Sequence, residues 1–368
     1  MKICFLVPTM SSGGAERTVS YLADYGVKNG YEVDIVTLKD DKFYDISNGV
    51  NYFTVDVGKQ KSNIFSRFNQ FLKRIKKYKA YLKENKPDLV FSILCTAVLY
   101  PKICNKKIPV VTSERVNPII GRSKGKRIYR NFMFKLADGM IFQTKAVQDF
   151  YKSKKITGVV IPNAVGNPIA YEFDSPAKER DKVITAVGRL SDQKDYHTMI
   201  NAFEIVYEKY PEYSLNIYGK GPDEEILKSF VSTKKCKEAV HFCGVDKNAI
   251  RCVQKSKCYV MTSLFEGMPN ALMEAMAVGT PCVSTNCDYG PAELIEDNVN
   301  GQLVDVGDVD AVANAILNYI ENEGFSNLVA QNAMKIKETN SIDKISKRFF
   351  DYFEEVYKRK GKKNKEIK

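Results

Sequence analysis

Two carboxylates around a proline-started helix make the most chemically loaded stretch of this chain. Residues 262–295 read TSLFEGMPNALMEAMAVGTPCVSTNCDYGPAELI. Pro269 precedes NALMEAMA, a strong helix former, and proline suits a first helical turn. The amides of Met268, Asn270 and Ala271 would stand at a positive helix end, a ready site for an anion or a sugar hydroxyl. Glu266 lies in the loop before the helix and Glu274 on its second turn. One carboxylate reaches the helix mouth, and the other sits deeper and to the side. A carboxylate accepts two hydrogen bonds from vicinal hydroxyls, so both suit a sugar or a ribose. A second stretch, VPTMSSGGAER at 7–17, runs from an apolar segment through a glycine loop into a helix start. That order makes phosphate sites, yet neither G-x-G-x-x-G nor G-x-x-x-x-G-K-[ST] is present.

The elements that position these loops alternate along the chain. KICFLVP, YEVDIVTL, DLVFSIL, IPVVTS, GMIFQT and GVVIPN read as strands of a first half. Several are near-continuous apolar runs, as parallel strands covered on both faces require. Ala15, Val19, Leu22, Ala23 and Gly26 lie on one face of an intervening helix. After a proline-containing interval at 161–182, the pattern restarts with VITAVGRL and continues through SLNIYG, AVHFCG, CYVMTS, PCVST and GQLVDV. Helices are expected near 195–209, 223–235, 270–278 and 309–322. The fold class is α/β, with two doubly wound Rossmann-like domains. Their expected limits are 1–165 and 166–345, with 346–368 a C-terminal helix and basic tail.

A chain of 368 residues exceeds one ordinary core. The longest nearly apolar run, Leu89 to Tyr100, is too short for a bilayer, which needs about 20 residues. The first apolar run reads as a buried strand rather than a leader, so a cytoplasmic location is expected. Nine scattered cysteines without a C-x-x-C pair indicate reduced thiols. The net charge of +12 is concentrated: residues 61–135 hold 19 Lys and Arg against 3 Asp and Glu. Such asymmetry concerns partners rather than fold. A basic helix at 63–84 carries an apolar stripe of Ile64, Phe68, Phe71, Leu72, Ile75 and Tyr78. The stripe is that of a core-facing helix or of a basic amphipathic helix lying on anionic lipid, and the two coexist if the stripe packs inward while the basic flank faces lipid.

FEGMPNALMEAMA resembles the E-x7-E signature of glycosyltransferase family 4, whose members are retaining nucleotide-sugar enzymes of GT-B architecture. VGRL…QK at 187–194 is similar to that family's diphosphate-binding segment. SGGAER and TSERVNP (112–118) resemble its branch for bacterial surface polysaccharides and lipid-linked glycans. The resemblance implies two domains facing across a cleft, an acceptor-binding first domain, a donor-binding second, and a final helix crossing back to the first. It implies that Arg189 and Lys194 grip the donor diphosphate, beside Gly188. A forked guanidinium and a point-charge ammonium suit that leaving group. By the same resemblance Glu274 binds the ribose and Glu266 sits beside the donor sugar. The backbone of Gly267, Met268, Asn270 and Ala271 holds sugar hydroxyls or the distal phosphate, and Gly244 and Val245 face the base. Gly13 and Gly14 let the first-domain backbone approach the distal phosphate and sugar. Glu114 and Arg115, with Glu16 and Arg17, fall on the acceptor or sugar side.

The family's first-domain histidine is missing, since His197 and His241 are the only two and lie in the second half. Asp308 and Asp310 have a D-x-D metal spacing but precede AVANAILNYI, so helix capping explains them. The resemblance implies no metal or other cofactor, with a UDP-sugar as co-substrate. The expected function is retaining transfer of a hexose or N-acetylhexosamine to a sugar acceptor, here a polyprenyl-diphosphate-linked glycan. The expected place is the inner face of the cell membrane, held by an anionic surface. The alternatives are a nucleotide-sugar epimerase of the same shape and a non-catalytic sugar-nucleotide binder. No nucleic-acid-reading module accompanies the basic charge.

Overall fold

Strand pairing is parallel throughout the described residues of this computed structural model. The structure describes residues 1–11, 13–42, 46–58, 63–115, 117–119 and 123–366; the side chains of Ile64 and 363–366 lie outside that description. Ser12 of the SGGAER segment and Val116 of TSERVNP are therefore outside it. The chain divides into two units, Met1–Ala164 with Ile342–Lys368, and Val165–Ser341. Against the sequence limits of 165 and 345, the second crossing comes four residues earlier, at the start of the last helix.

The first unit holds strands β1 (Lys2–Val7), β2 (Glu32–Thr37), β3 (Val50–Thr54), β4 (Leu89–Ser92), β5 (Val110–Glu114), β6 (Gly139–Phe142) and β7 (Val159–Val160). Their order is β3-β2-β1-β4-β5-β6-β7. The connecting helices are α1 (Gly14–Lys28), α2 (Ile64–Asn85), α3 (Leu99–Cys104), α4 (Lys124–Leu136) and α5 (Lys145–Lys152). The apolar run of β1 is explained by burial on both faces. Ile3, Phe5 and Val7 join one core cluster, and Cys4 and Leu6 join another. β3 escapes sequence reading because VNYFT is a half-exposed edge strand without an apolar run.

The C-terminal helix, Ile342–Glu366, belongs to the first unit's core. Ile345, Phe349, Phe353 and Val356 are fully buried, and the rings of Phe91 and Phe353 lie 5.1 Å apart. Such aromatic truncations cost about 3–5 kcal/mol each, so this helix is integral to the fold. Tyr352 Oη accepts from the Met140 amide at 3.1 Å, and Lys360 Nζ reaches Asp138 at 2.8 Å. The stripe expected on the basic helix splits in two. Phe71, Ile75 and Tyr78 pack against the unit, whereas Phe68 and Leu72 are exposed.

The second unit has β8 (Asp181–Val187), β9 (Ser214–Tyr218), β10 (Val240–Gly244), β11 (Ser256–Met261), β12 (Cys282–Thr285) and β13 (Gln302–Val304) in the order β10-β9-β8-β11-β12-β13. Its helices include α6 (Tyr196–Lys209), α7 (Glu224–Ser232), α8 (Ala249–Lys255), α9 (Asn270–Ala277), α10 (Val309–Glu321), α11 (Glu323–Ala333) and α12 (Ile336–Thr339). The strand order reverses between β8 and β11, the switch point where open α/β sheets bind ligands.

Candidate active site

The loops after β8 and β11 meet at that switch point. Thr262 Oγ1 donates to the carbonyls of Lys194 (3.0 Å) and Asp195 (2.8 Å). The Leu264 amide donates to Gln193 O at 2.9 Å, and Gln193 Nε2 to Phe265 O at 2.9 Å. This stitching sets Lys194 Nζ 2.6 Å from Glu266 Oε1, which also accepts from Ser263 Oγ at 2.8 Å. Glu266 is 8% exposed. The pair is therefore shielded from water, where charge interactions are stronger than on an open surface. Arg189 stands exposed in the same loop, and its guanidinium makes no ion pair or hydrogen bond among the described residues. Cys287 is buried nearby, and burial followed by the Glu266 charge pushes its thiol up to about 12.

Glycines let three strand ends crowd together here. Gly219 has φ +143, and a Cβ built on it would fall 1.8 Å from Gly188 O. A Cβ on Gly221 would fall 1.9 Å from Leu190 O. The Gly188 amide donates to Tyr218 O at 2.9 Å, and the Gly219 amide to Gly244 O at 2.7 Å. Gly244, with φ +67, ends β10, and Val245 beside it is 72% exposed. A Cβ on Gly188 would sit 3.2 Å from Lys194 Cε and 3.0 Å from Tyr196 Oη, so the bare backbone leaves room for that ammonium.

Pro269 is the N-cap of α9, one position before the first helical turn expected for it, and no side-chain cap is seen among the described residues. A Cβ on Gly290 would fall 2.1 Å from Gly267 O, so the 288–291 loop lies directly on the 266–268 backbone. Glu274 lies on α9, where Asn167 Nδ2 approaches its Oε2 at 3.4 Å. The structure thus brings Gly188, Arg189, Lys194, Glu266 and Ser263 to adjoining loops, with Gly267, Met268, Asn270, Ala271 and Glu274 following in sequence. Gly244 and Val245 join through Gly219. Sequence reading missed Ser263, Gln193, Asn167 and Gly219. The signals were the TS before LFEG and the YGKGP turn after β9, but the partners that give them meaning, Lys194 for Thr262 and Gly188 for Gly219, lie on other loops far along the chain.

In the first unit the expected group separates. Glu114 is withdrawn into the core: its Oε2 accepts from Tyr151 Oη at 2.7 Å and pairs with Arg130 Nη1 at 3.0 Å. Arg115 turns the other way and donates Nη2 to Thr18 Oγ1 at 2.8 Å and to Asn163. Its Nη1 is buried with no hydrogen-bond partner among the described residues, and burial lowers its pKa from the ordinary arginine value. Glu16 bends back over the start of α1, where a Cβ on Gly13 would lie 2.2 Å from Glu16 Oε2. Thr9 Oγ1 also donates to Glu16 at 3.3 Å. That carboxylate already occupies the helix start that Gly13 and Gly14 were expected to offer a phosphate. Arg17 follows one position on, in the first turn of α1. His197 packs on Phe230 at 4.7 Å, and Asp308 caps α10 by accepting from the Ala311 amide at 2.9 Å.

Two parallel Rossmann-like sheets, the second with its charged loops at the switch point, define the GT-B glycosyltransferase architecture. S. aureus TarM, solved with UDP, superposes with a TM-score of 0.80 at 17% identity, covering 96% of this chain and 100% of that one. The lipopolysaccharide outer core galactosyltransferase WaaB gives 0.74 at 22% identity, covering 95% and 98%. The family Glycosyltransferase Family 4 matches residues 12–166, and Glycosyl transferases group 1 matches 169–336. The chain belongs to these glycosyltransferases and is a transferase enzyme of family 4. Among its relatives, an uncharacterized glycosyltransferase of Haemophilus influenzae is 24% identical over 93% of this chain and 96% of its own. A Campylobacter jejuni α-1,4-N-acetyl-D-galactosaminyltransferase, named for a diNAcBac-PP-undecaprenol acceptor, is 27% identical over 97% and 99%.

Proposed function

We propose that this enzyme is a retaining glycosyltransferase. It moves a hexose or N-acetylhexosamine from a UDP-sugar to a polyprenyl-diphosphate-linked sugar in bacterial surface-glycan assembly. The shielded Lys194–Glu266 pair beside the exposed Arg189 carries this reading. The Lys194 ammonium has three donors. One holds Glu266, and the others are available to the donor diphosphate, which Arg189 grips from its other side. Both cations offset the charge that develops on the leaving diphosphate. Glu266 faces the donor sugar and stabilises positive charge at the anomeric carbon of an oxocarbenium-like transition state. The leaving diphosphate takes the acceptor hydroxyl's proton on the same face, so configuration is kept. Glu274 holds the ribose hydroxyls, Gly244 and Val245 lie along the base, and the 267–271 backbone holds sugar hydroxyls.

The first unit binds the acceptor. There Arg115, whose Nη1 has no hydrogen-bond partner among the described residues, is the residue for an anionic or hydroxyl group, and Glu114 supports the fold. The undecaprenol-linked acceptors in the names of the Campylobacter relatives support the lipid-linked choice. No described helix is long and apolar enough to cross a membrane. The basic charge of 61–135 then attaches the enzyme to the anionic inner face. No metal takes part. The test is a thermal-shift screen of nucleotide sugars, then transfer to a synthetic polyprenyl-diphosphate sugar. Stabilisation by a UDP-sugar with acceptor-dependent product supports the proposal. Conversion of the donor without acceptor would instead identify an epimerase.

A further inference from the structure

Eight of the seventeen exposed large hydrophobic residues described fall within 61–135: Phe65, Phe68, Leu72, Ile103, Ile119, Ile128, Tyr129 and Phe132. The exposed phenylalanines among the described residues, Phe65 (87%), Phe68 (61%) and Phe132 (56%), are all here. On α2, positions 65, 68, 72, 76, 79 and 83 form one stripe at i, i+3, i+7, i+11, i+14 and i+18. Its first half is Phe65, Phe68 and Leu72, and its second is Lys76, Lys79 and Lys83, all exposed. A separate face of α2, Phe71, Ile75 and Tyr78, makes the contact with the unit. On α4, Arg130, Met133 and Phe134 are buried, so Ile128 and Phe132 point away from the core. Phe71 lies 5.3 Å ring to ring from Tyr100 of α3, and α4 packs on the Cys95–Ala97 turn before α3. Both helices therefore border the same 95–104 segment, whose Ile103 is 53% exposed.

We infer that α2 and α4 form one insertion surface for an anionic bilayer, with α2 oblique: its apolar first half enters the lipid and its stripe lysines stay at the phosphates. This deepens the membrane part of the proposed function and rests on it, but not on the transfer chemistry. Residues 65–72 rise about 10 Å along the axis, within reach of the roughly 5–10 Å that interfacial helices sink. Charge selects the occupant. The surrounding 19 bases against 3 acids attract anionic lipid and repel a second copy of the same face. Attachment is consequently part hydrophobic, and salt alone does not reverse it.

The chain has no tryptophan, so Phe68→Trp and Lys83→Trp each supply a single reporter. They are titrated with phosphatidylcholine vesicles containing about one third phosphatidylglycerol, with plain or brominated acyl chains. Bromine quenches the tryptophan at 68 and spares the one at 83. In flotation, Phe65→Ser with Phe68→Ser lowers partitioning by about tenfold or more and removes the salt-resistant fraction. Ile226→Ser, an exposed apolar residue of the second unit, leaves it unchanged. Transfer to a water-soluble acceptor stays at the wild-type rate in all variants, which reads the chemistry separately. The inference is overturned by equal quenching at 68 and 83, or by full flotation of the double variant. It is also overturned if lipid-free enzyme is a dimer that the double variant makes monomeric. Failure of wild type to float would remove the membrane reading itself and leave the transferase reading standing.

Discussion

Replacing Glu266 by Gln separates the charge at the site from its shape. Gln keeps the volume and can still accept from Ser263, but the 2.6 Å partner of Lys194 becomes neutral. The two side chains are 10% and 17% exposed. Exposed pairs contribute less than about 1 kcal/mol, and breaking buried ones costs about 3–5 kcal/mol. An intermediate loss of about 2 kcal/mol follows for the second unit, or about 4–8 °C in Tm for a unit of this size. Turnover loses more. Withdrawing a carboxylate aimed at developing positive charge compares with deleting a preorganised transition-state partner, about 10²–10³ in kcat. Donor affinity moves the other way, because Lys194 no longer shares its charge. UDP binding by calorimetry is unchanged or up to about tenfold tighter. The assays are melting with and without UDP, UDP titration, and steady-state transfer. A kcat within threefold of wild type, or UDP affinity lost along with kcat, would refute the assignment of Glu266 to the sugar and Lys194 to the diphosphate.

Gly219→Ala forces a Cβ against Gly188 O at φ +143, which costs about 2 kcal/mol or more and weakens UDP binding. Gly307→Ala, at φ +79 with open space, is the control and costs about 1 kcal/mol with UDP affinity unchanged. Burial raises the Asp138 carboxyl, but bonds from Lys102 and Lys360 outweigh it and leave it below the ordinary 3.8. Its contribution is therefore present above the ordinary carboxyl value and is lost as pH falls through the lowered one. Asp138→Asn lowers denaturant stability by about 1–3 kcal/mol at pH 7, and the difference from wild type shrinks below pH 4. A constant difference across that range would contradict the linkage. EDTA leaves transfer undiminished; loss restored by added Mn²⁺ would show that a metal takes part.

Much of the architecture was legible because parallel strands buried on two faces must be apolar throughout. KICFLVP became β1 and CYVMTS became part of β11 for that reason. VNYFT was not legible, since this edge strand is only half-buried and carries no continuous apolar run. The carboxylates were legible from their place around Pro269. What held them was not, because Thr262, Ser263 and Gln193 act through partners on another loop. The Glu114–Arg115 neighbours illustrate the limit in the first unit. Adjacent strand residues point to opposite faces, and only the structure shows Arg130 reaching Glu114 from a run of bases that reads as surface. The glycine pair at 13–14 likewise reads as a place for close backbone approach, and only the structure shows Glu16 Oε2 2.2 Å from where a Cβ on Gly13 would stand.

The measurement closest to the central claim is the anomeric configuration, by proton NMR, of the sugar transferred from an α-linked UDP-sugar to a polyprenyl-diphosphate sugar. Wild-type enzyme is expected to give the α-linked product, with product formation falling about a hundredfold or more in Glu266→Gln. A β-linked product, or equal product from the variant, would contradict a retaining transferase centred on Lys194 and Glu266.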